Sequence, residues 1–167
     1  MYNFKVVKTT SPKARPADES KLGFGKIITD HMFIMNYTEG QGWHDPRIVP
    51  YGDLTLSPAC MVFHYGQEMF EGLKAYTTED GHIVCFRPDL NAARLKDSAK
   101  RLEMPVFPEE RFVEAIDELV KANAAWVPPY GSGATLYLRP YMFASSPVIG
   151  VKPAQEYQFR LFCTPVG

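Results

Sequence analysis

The sequence predicts an α+β fold, a mixed, mostly antiparallel sheet with helices packed on one side. Three features carry that expectation. Short apolar runs rich in β-branched and aromatic residues alternate with Gly, Pro, Asn and Asp clusters as far as residue 86. Two helical periodicities then follow one another between residues 88 and 126, and two more strand-like runs come after residue 134.

Taken in order, residues 2 to 8 mix Tyr, Phe and Val with polar residues and read as a first strand. The charged, proline-bearing stretch from Ser11 to Lys21 reads as a solvated connection, so residues 1–21 form a lead and the core of a small α/β domain, 22–167, begins at Leu22. Gly25 to Tyr37 is a long apolar segment, expected as one bent strand or two. Asp45-Pro46 and Pro50-Tyr51-Gly52-Asp53 are turn signals around a short Ile48-Val49 piece. Ser57 followed by Pro58 suits an N-cap and a first helical position, which predicts a helix from Ala59 to about Tyr65.

Phe70 to Tyr76 alternates, and the turn residues after it predict a hairpin returning through His82 to Phe86. A helix starting near Pro88 or Asp89 places Ala92, Leu95, Ala99 and Leu102 on one stripe. A second, from Pro108 to about Trp126, does the same for Phe112, Ile116, Leu119 and Val120. Pro128 to Gly133 ends that helix. Strands from Ala134 to Phe143 and from Tyr157 to Thr164, separated by the loop Ser145 to Gln155, complete the sheet.

Composition excludes several classes. The net charge is −1 with no basic stripe, so no nucleic-acid partner is expected. No apolar run approaches the length of a membrane span and residues 1–8 lack a secretory pattern, which predicts a soluble, cytoplasmic protein. Cys60, Cys85 and Cys163 are widely spaced and odd in number, and read as reduced core thiols. His31, His44, His64 and His82 lack metal-ligand spacing, so no metal is expected.

Two arginines stand out on chemical grounds. On a strand, Tyr137, Arg139 and Tyr141 share one face while Leu136 and Leu138 point to the other. A guanidinium beside phenols can bind a carboxylate through a fork of charge-assisted hydrogen bonds, although spacing alone favours an exposed polar sheet face. Arg94 lies about one turn into a predicted helix, near backbone donors that favour an anion, and reads either as a phosphate ligand or as a solvated surface arginine. Phe63, His64-Tyr65 and Phe70 form an aromatic run that is either core or the wall of an apolar pocket.

Four stretches in order resemble the branched-chain amino acid aminotransferases, pyridoxal-phosphate (PLP) enzymes of the class-IV aminotransferase family. They are Phe24 to Met32, His64-Tyr65 through Phe70-Glu71-Gly72-Leu73-Lys74-Ala75, Phe86-Arg87-Pro88-Asp89-Leu90-Asn91 leading to Arg94, and Leu136-Tyr137-Leu138-Arg139-Pro140. The resemblance implies transamination of leucine, isoleucine and valine with 2-oxoglutarate. It also implies a homodimer whose active site lies between a small and a large domain and is completed by the neighbouring subunit.

Carried over by position, the resemblance makes Arg94 the ligand of the cofactor phosphate. Tyr137 and Arg139 become the pair recognising the distal carboxylate of glutamate or 2-oxoglutarate, with Tyr137 also lining the branched side-chain pocket. Phe24 and Phe70 become apolar walls, and Tyr65 and Val151 residues that reach the partner subunit's pocket. No catalytic residue is assigned in this chain: the lysine that would hold the cofactor is expected in a large C-terminal domain beyond Gly167, so the 167 residues alone are expected to be inactive and prone to self-association. Two other readings remain, a D-amino acid aminotransferase or aminodeoxychorismate lyase relative, and a non-catalytic dimerisation or folding module.

Overall fold

Eight strands form one sheet: β1 (Lys5–Val6), β2 (His31–Thr38), β3 (Gly42–Pro50), β4 (Glu68–Phe70), β5 (Leu73–Thr77), β6 (Ile83–Cys85), β7 (Thr135–Ala144) and β8 (Glu156–Val166). The computed structural model describes residues 4–167. Strand order is β1-β3-β2-β8-β7-β5-β6, with β4 also paired to β7. Every pairing is antiparallel except β1 on β3, as expected for a mixed, mostly antiparallel sheet. Residues 2–3 of the expected first strand lie outside the described residues. Three α-helices accompany the sheet, α1 (Met61–Tyr65), α2 (Pro88–Arg101) and α3 (Glu109–Ala122), the last followed by a 3-10 turn at Ala124–Trp126.

The core fills the space between the sheet and α2 and α3. Leu136, Leu138 and Met142 of β7 and Phe159, Leu161 and Cys163 of β8 are fully buried there, opposite Ala92, Leu95 and Ala99 of α2 and Phe112, Ala115, Ile116 and Leu119 of α3. Phe159 sits at its centre, stacked on Phe107 with ring centroids 3.9 Å apart and edge-on to Phe33 and Phe112. Replacing Phe159 with alanine is expected to cost about 3–5 kcal/mol, because the stacked rings cannot close over the lost volume. A urea denaturation midpoint checks it.

Several elements differ from their sequence signals for identifiable reasons. β2 starts at His31, and 25–30 is an irregular approach rather than strand. Its backbone is tied off by Thr29 N–H donating to the Cys163 carbonyl (3.0 Å) and Asp30 accepting from Lys13 N–H and Trp126 Nε1 (2.9 Å each). Asp45-Pro46 does not turn the chain. It forms a bulge inside the continuous strand β3, where the register moves from Ile34↔Arg47 to Asn36↔His44 and Asp45 adopts φ of 55°. A bulge tolerates a proline, which has no N–H to give to the ladder.

Ser57-Pro58 makes a turn closed by Cys60 N–H on the Ser57 carbonyl, so α1 begins only at Met61. Leu102 caps α2 and is 40% exposed, ending the buried stripe at Ala99. Phe70 to Tyr76 is not one strand. β4 and β5 are separated at Glu71-Gly72, directly opposite Arg139-Pro140 on β7. Pro140 offers no N–H there, yet its carbonyl accepts from Glu71 N–H at 2.8 Å, and the interruption it faces positions the candidate site.

Candidate functional site

The alternation expected for β7 holds. Tyr137, Arg139 and Tyr141 are half-buried on the face away from α2 and α3, while Leu136, Leu138 and Pro140 are buried behind them. The Arg139 guanidinium lies over the Phe70 ring, 4.2 Å from its centroid, and donates through Nε and Nη2 to the Tyr137 hydroxyl at 3.3 and 3.1 Å. Cation–π and hydrogen-bond contacts thus hold the fork from below and from one side. Of the five N–H donors of an arginine, three have no hydrogen-bond partner among the described residues. They border a pocket of about 540 Å³ lined by Glu68, Met69, Phe70, Tyr141 and Phe162.

Phe24 joins the same cluster. Its ring stands edge-on to Tyr137 at 5.0 Å, although Phe24 itself is 60% exposed. The loop presenting it is flanked by Gly23 and Gly25, with φ of 63° and 72°, a backbone region that glycine enters without steric cost. The aromatic run Phe63, Tyr65 and Phe70 is exposed rather than core, which overturns one of its two readings.

Arg94 is held differently from the expectation of an anion site at a helix end. It lies two turns into α2, past the unpaired N–H groups of the first turn. Its anchor is Glu71, which accepts from Arg94 Nε at 2.7 Å and Nη2 at 2.6 Å and from Asn91 Nδ2 at 3.0 Å. Glu71 is buried at 5% exposure, and burial alone would raise its pKa. The hydrogen bonds from Arg94 and Asn91 and the Arg94 charge outweigh that and hold the carboxyl below the ordinary range. Arg94 remains largely exposed, with three N–H donors unpaired among the described residues.

The next residue, Gly72, supports the other arginine. A Cβ there would overlap the Tyr137 hydroxyl and approach its Cζ to 3.0 Å, so only glycine leaves room for the phenol that Arg139 holds. Consecutive residues in the interruption between β4 and β5 therefore fix both arginines, one through a buried carboxylate and one through an absent side chain. Sequence reasoning missed Glu71, Asn91 and Gly72 as functional. The available signal was an acid and a glycine at the centre of an otherwise alternating apolar segment.

Tyr65 and Val151 are not brought into this cluster. Tyr65 ends α1 at 41% exposure, next to Gly66 with φ of 60°, and Val151 is 94% exposed. The loop carrying Val151 is pinned at its base, where Ser146 Oγ accepts from Gln155 and Glu156 N–H at 3.0 and 2.9 Å. Cys60 and Cys163 are buried free thiols, and Cys85 is half-buried with its pKa pushed up to about 11 by burial. Burial also raises the pKa of Cys163, so neither it nor Cys85 is activated as a nucleophile. Among the described residues no helix is long and apolar enough to cross a membrane.

No family model matches the chain. It is 48% identical over 167 residues to a branched-chain-amino-acid aminotransferase of Mycolicibacterium smegmatis, a match covering 98% of this chain and 45% of that protein. Against branched-chain-amino-acid transaminase 1 of Bacillus subtilis it is 51% identical over 160 residues, covering 96% and 44%. Among solved structures, the branched-chain aminotransferase of Thermoproteus uzoniensis with norvaline matches with a TM-score of 0.62 at 23% identity, over 81% of this chain and 41% of that one, a likeness of fold. The branched-chain amino acid aminotransferase from Escherichia coli matches with a TM-score of 0.57 at 25% identity, over 80% and 40%. The chain spans less than half the length of the curated relatives it matches.

Proposed function

We propose, from its homology to the branched-chain-amino-acid aminotransferases, that this chain supplies the cofactor-phosphate clamp and the substrate-carboxylate pocket of a PLP-dependent enzyme transferring amino groups between leucine, isoleucine or valine and 2-oxoglutarate. The observation that carries the reading is the pair of arginines set by Glu71-Gly72, each with three donors left outward. The donor set fits the group. A phosphate dianion needs several fixed N–H donors of positive charge, and Arg94, anchored on a buried carboxylate, offers them already oriented.

PLP, when bound, supplies the electron sink for amino transfer. The residues of this chain orient and select. Arg94 would hold the phosphate, with Glu71 and Asn91 fixing its rotamer. Arg139 and Tyr137 would take the distal carboxylate of glutamate or 2-oxoglutarate. A leucine side chain would meet the Phe24, Phe70 and Tyr137 rings instead. One pocket would thus serve an anionic and an apolar substrate, because the guanidinium lies over an aromatic ring and aromatic walls stand beside it. Residues 22–167 would form the small domain of the subunit. Tyr65 and Val151, exposed on separate projections, would reach the pocket of a partner subunit in a cytoplasmic homodimer.

The test is glutamate formation from leucine and 2-oxoglutarate, with D-alanine as the competing donor, by this chain joined to the large domain expected to supply the cofactor lysine and loaded with PLP. Transfer from leucine, isoleucine and valine is expected. Turnover confined to D-alanine would overturn the assignment.

A further inference from the structure

Arg160, on β8, is 8% exposed. Its Nε donates to Gln158 Oε1 at 2.8 Å, and its Nη1 has only the weak Met32 Sδ acceptor at 3.9 Å. Among the described residues no carboxylate comes within ion-pair distance of it. Among the described residues three of its five donors are therefore without a hydrogen-bond partner, on a side chain that keeps little contact with solvent. Its cross-strand neighbours do nothing to neutralise it. The row running through it reads Lys5, Arg47, Ile34, Arg160 and Tyr141, none of them an acid, and Asp45 of the neighbouring bulge is already on Arg47 at 2.9 Å.

A cavity of about 170 Å³ opens beside the guanidinium. Met32 and Leu54 give it apolar walls, Tyr51 and Tyr141 bring phenols to it, and the exposed Asp53 stands in its lining. Tyr141 and Phe162 also border the pocket of Arg139, so the two cavities share a wall.

We infer that this cavity is a binding site for a single carboxylate on Arg160, the fork taking two oxygens and the Met32 and Leu54 walls accommodating a short apolar tail. The charge and size fit a small monocarboxylic acid better than a phosphate, since a dianion would meet one guanidinium and the nearby Asp53. The carboxylate can come from a free acid or from an acidic side chain elsewhere in the protein. The inference stands on β2, β7, β8 and the loop 51–54 and does not depend on the aminotransferase reading. Burial pushes the pKa of Arg160 down, which a bound carboxylate would reverse.

The test follows the side-chain Nε–H resonance of Arg160 in the full protein labelled with ¹⁵N-arginine, assigned by its loss in R160Q, or in R160K should R160Q not fold. Titration with acetate is expected to shift that resonance saturably in the wild-type protein, and at lower acetate concentration in D53N, where the repelling acid is gone. A shift gives the source as a free acid. A hydrogen-bond coupling from Arg160 to an Asp or Glu carboxyl other than Asp53, with no acetate response, keeps the carboxylate and gives its source as the protein. No saturable shift in either protein together with no such coupling would overturn the inference, as would a resting contact with Asp53 in solution.

Discussion

Replacing Arg94 with glutamine is expected to weaken PLP binding by roughly 10- to 100-fold while leaving the affinity for pyridoxal, which lacks the phosphate, unchanged. The magnitude follows from losing one or two charge-assisted hydrogen bonds, each about 1.5–3 kcal/mol, at a side chain exposed enough for solvent to reduce the effect. Comparing the two ligands separates a lost phosphate contact from a damaged fold, because general damage would weaken both. Glu71→Gln is the informative companion. It keeps an acceptor for Arg94 and removes the charge, so Arg94 loses the two-point anchor formed at 2.7 and 2.6 Å. A several-fold loss confined to the phosphorylated ligand is expected. Fluorescence titration of the protein with PLP and with pyridoxal checks both variants, and an equal loss for the two ligands would remove Arg94 from the phosphate.

How much of this was legible in the sequence depends on how far apart the cooperating residues lie. Period-two alternation placed Tyr137, Arg139 and Tyr141 on one face because that rule acts within a single strand. The stripes of α2 and α3 were legible for the same reason, apart from Leu102, which lies where the helix stops. Contacts between elements were not legible. Nothing local in Phe70-Glu71-Gly72-Leu73 says that its acid meets a helix 23 positions on, or that its glycine lies under a tyrosine from the far end of the chain. The Asp45-Pro46 signal misled because a bulge and a turn both use a left-handed residue, and only pairing with β2 distinguishes them. The phosphate role proposed for Arg94 came from resemblance. Position along the helix suggested end-of-helix donors, whereas the structure gives it a buried carboxylate.

The second large effect is expected at Arg139, as a split between substrates rather than a general loss. Arg139→Gln should raise KM for 2-oxoglutarate by about 100-fold, the loss of a forked charge-assisted contact in a partly desolvated pocket, while KM for leucine changes by only a few-fold. Arg139→Lys should recover little, because an ammonium has neither the planar fork nor the flat face that lies on Phe70 at 4.2 Å. Tyr137→Phe removes the oxygen that receives two of the arginine's N–H groups, so its effect should follow the same direction at smaller size, about 3- to 10-fold. Gly72→Ala should resemble Tyr137→Phe rather than a core mutation, since the added methyl displaces the phenol and leaves Arg139 without its lateral contact. Steady-state kinetics of the chain joined to its large domain, with each substrate varied in turn, reads the split. Equal losses for 2-oxoglutarate and leucine across the series would mean that Arg139 holds the pocket together without recognising the second carboxylate. A loss for leucine alone would assign the Phe24, Phe70 and Tyr137 rings to the apolar substrate and leave the dicarboxylate to another arginine.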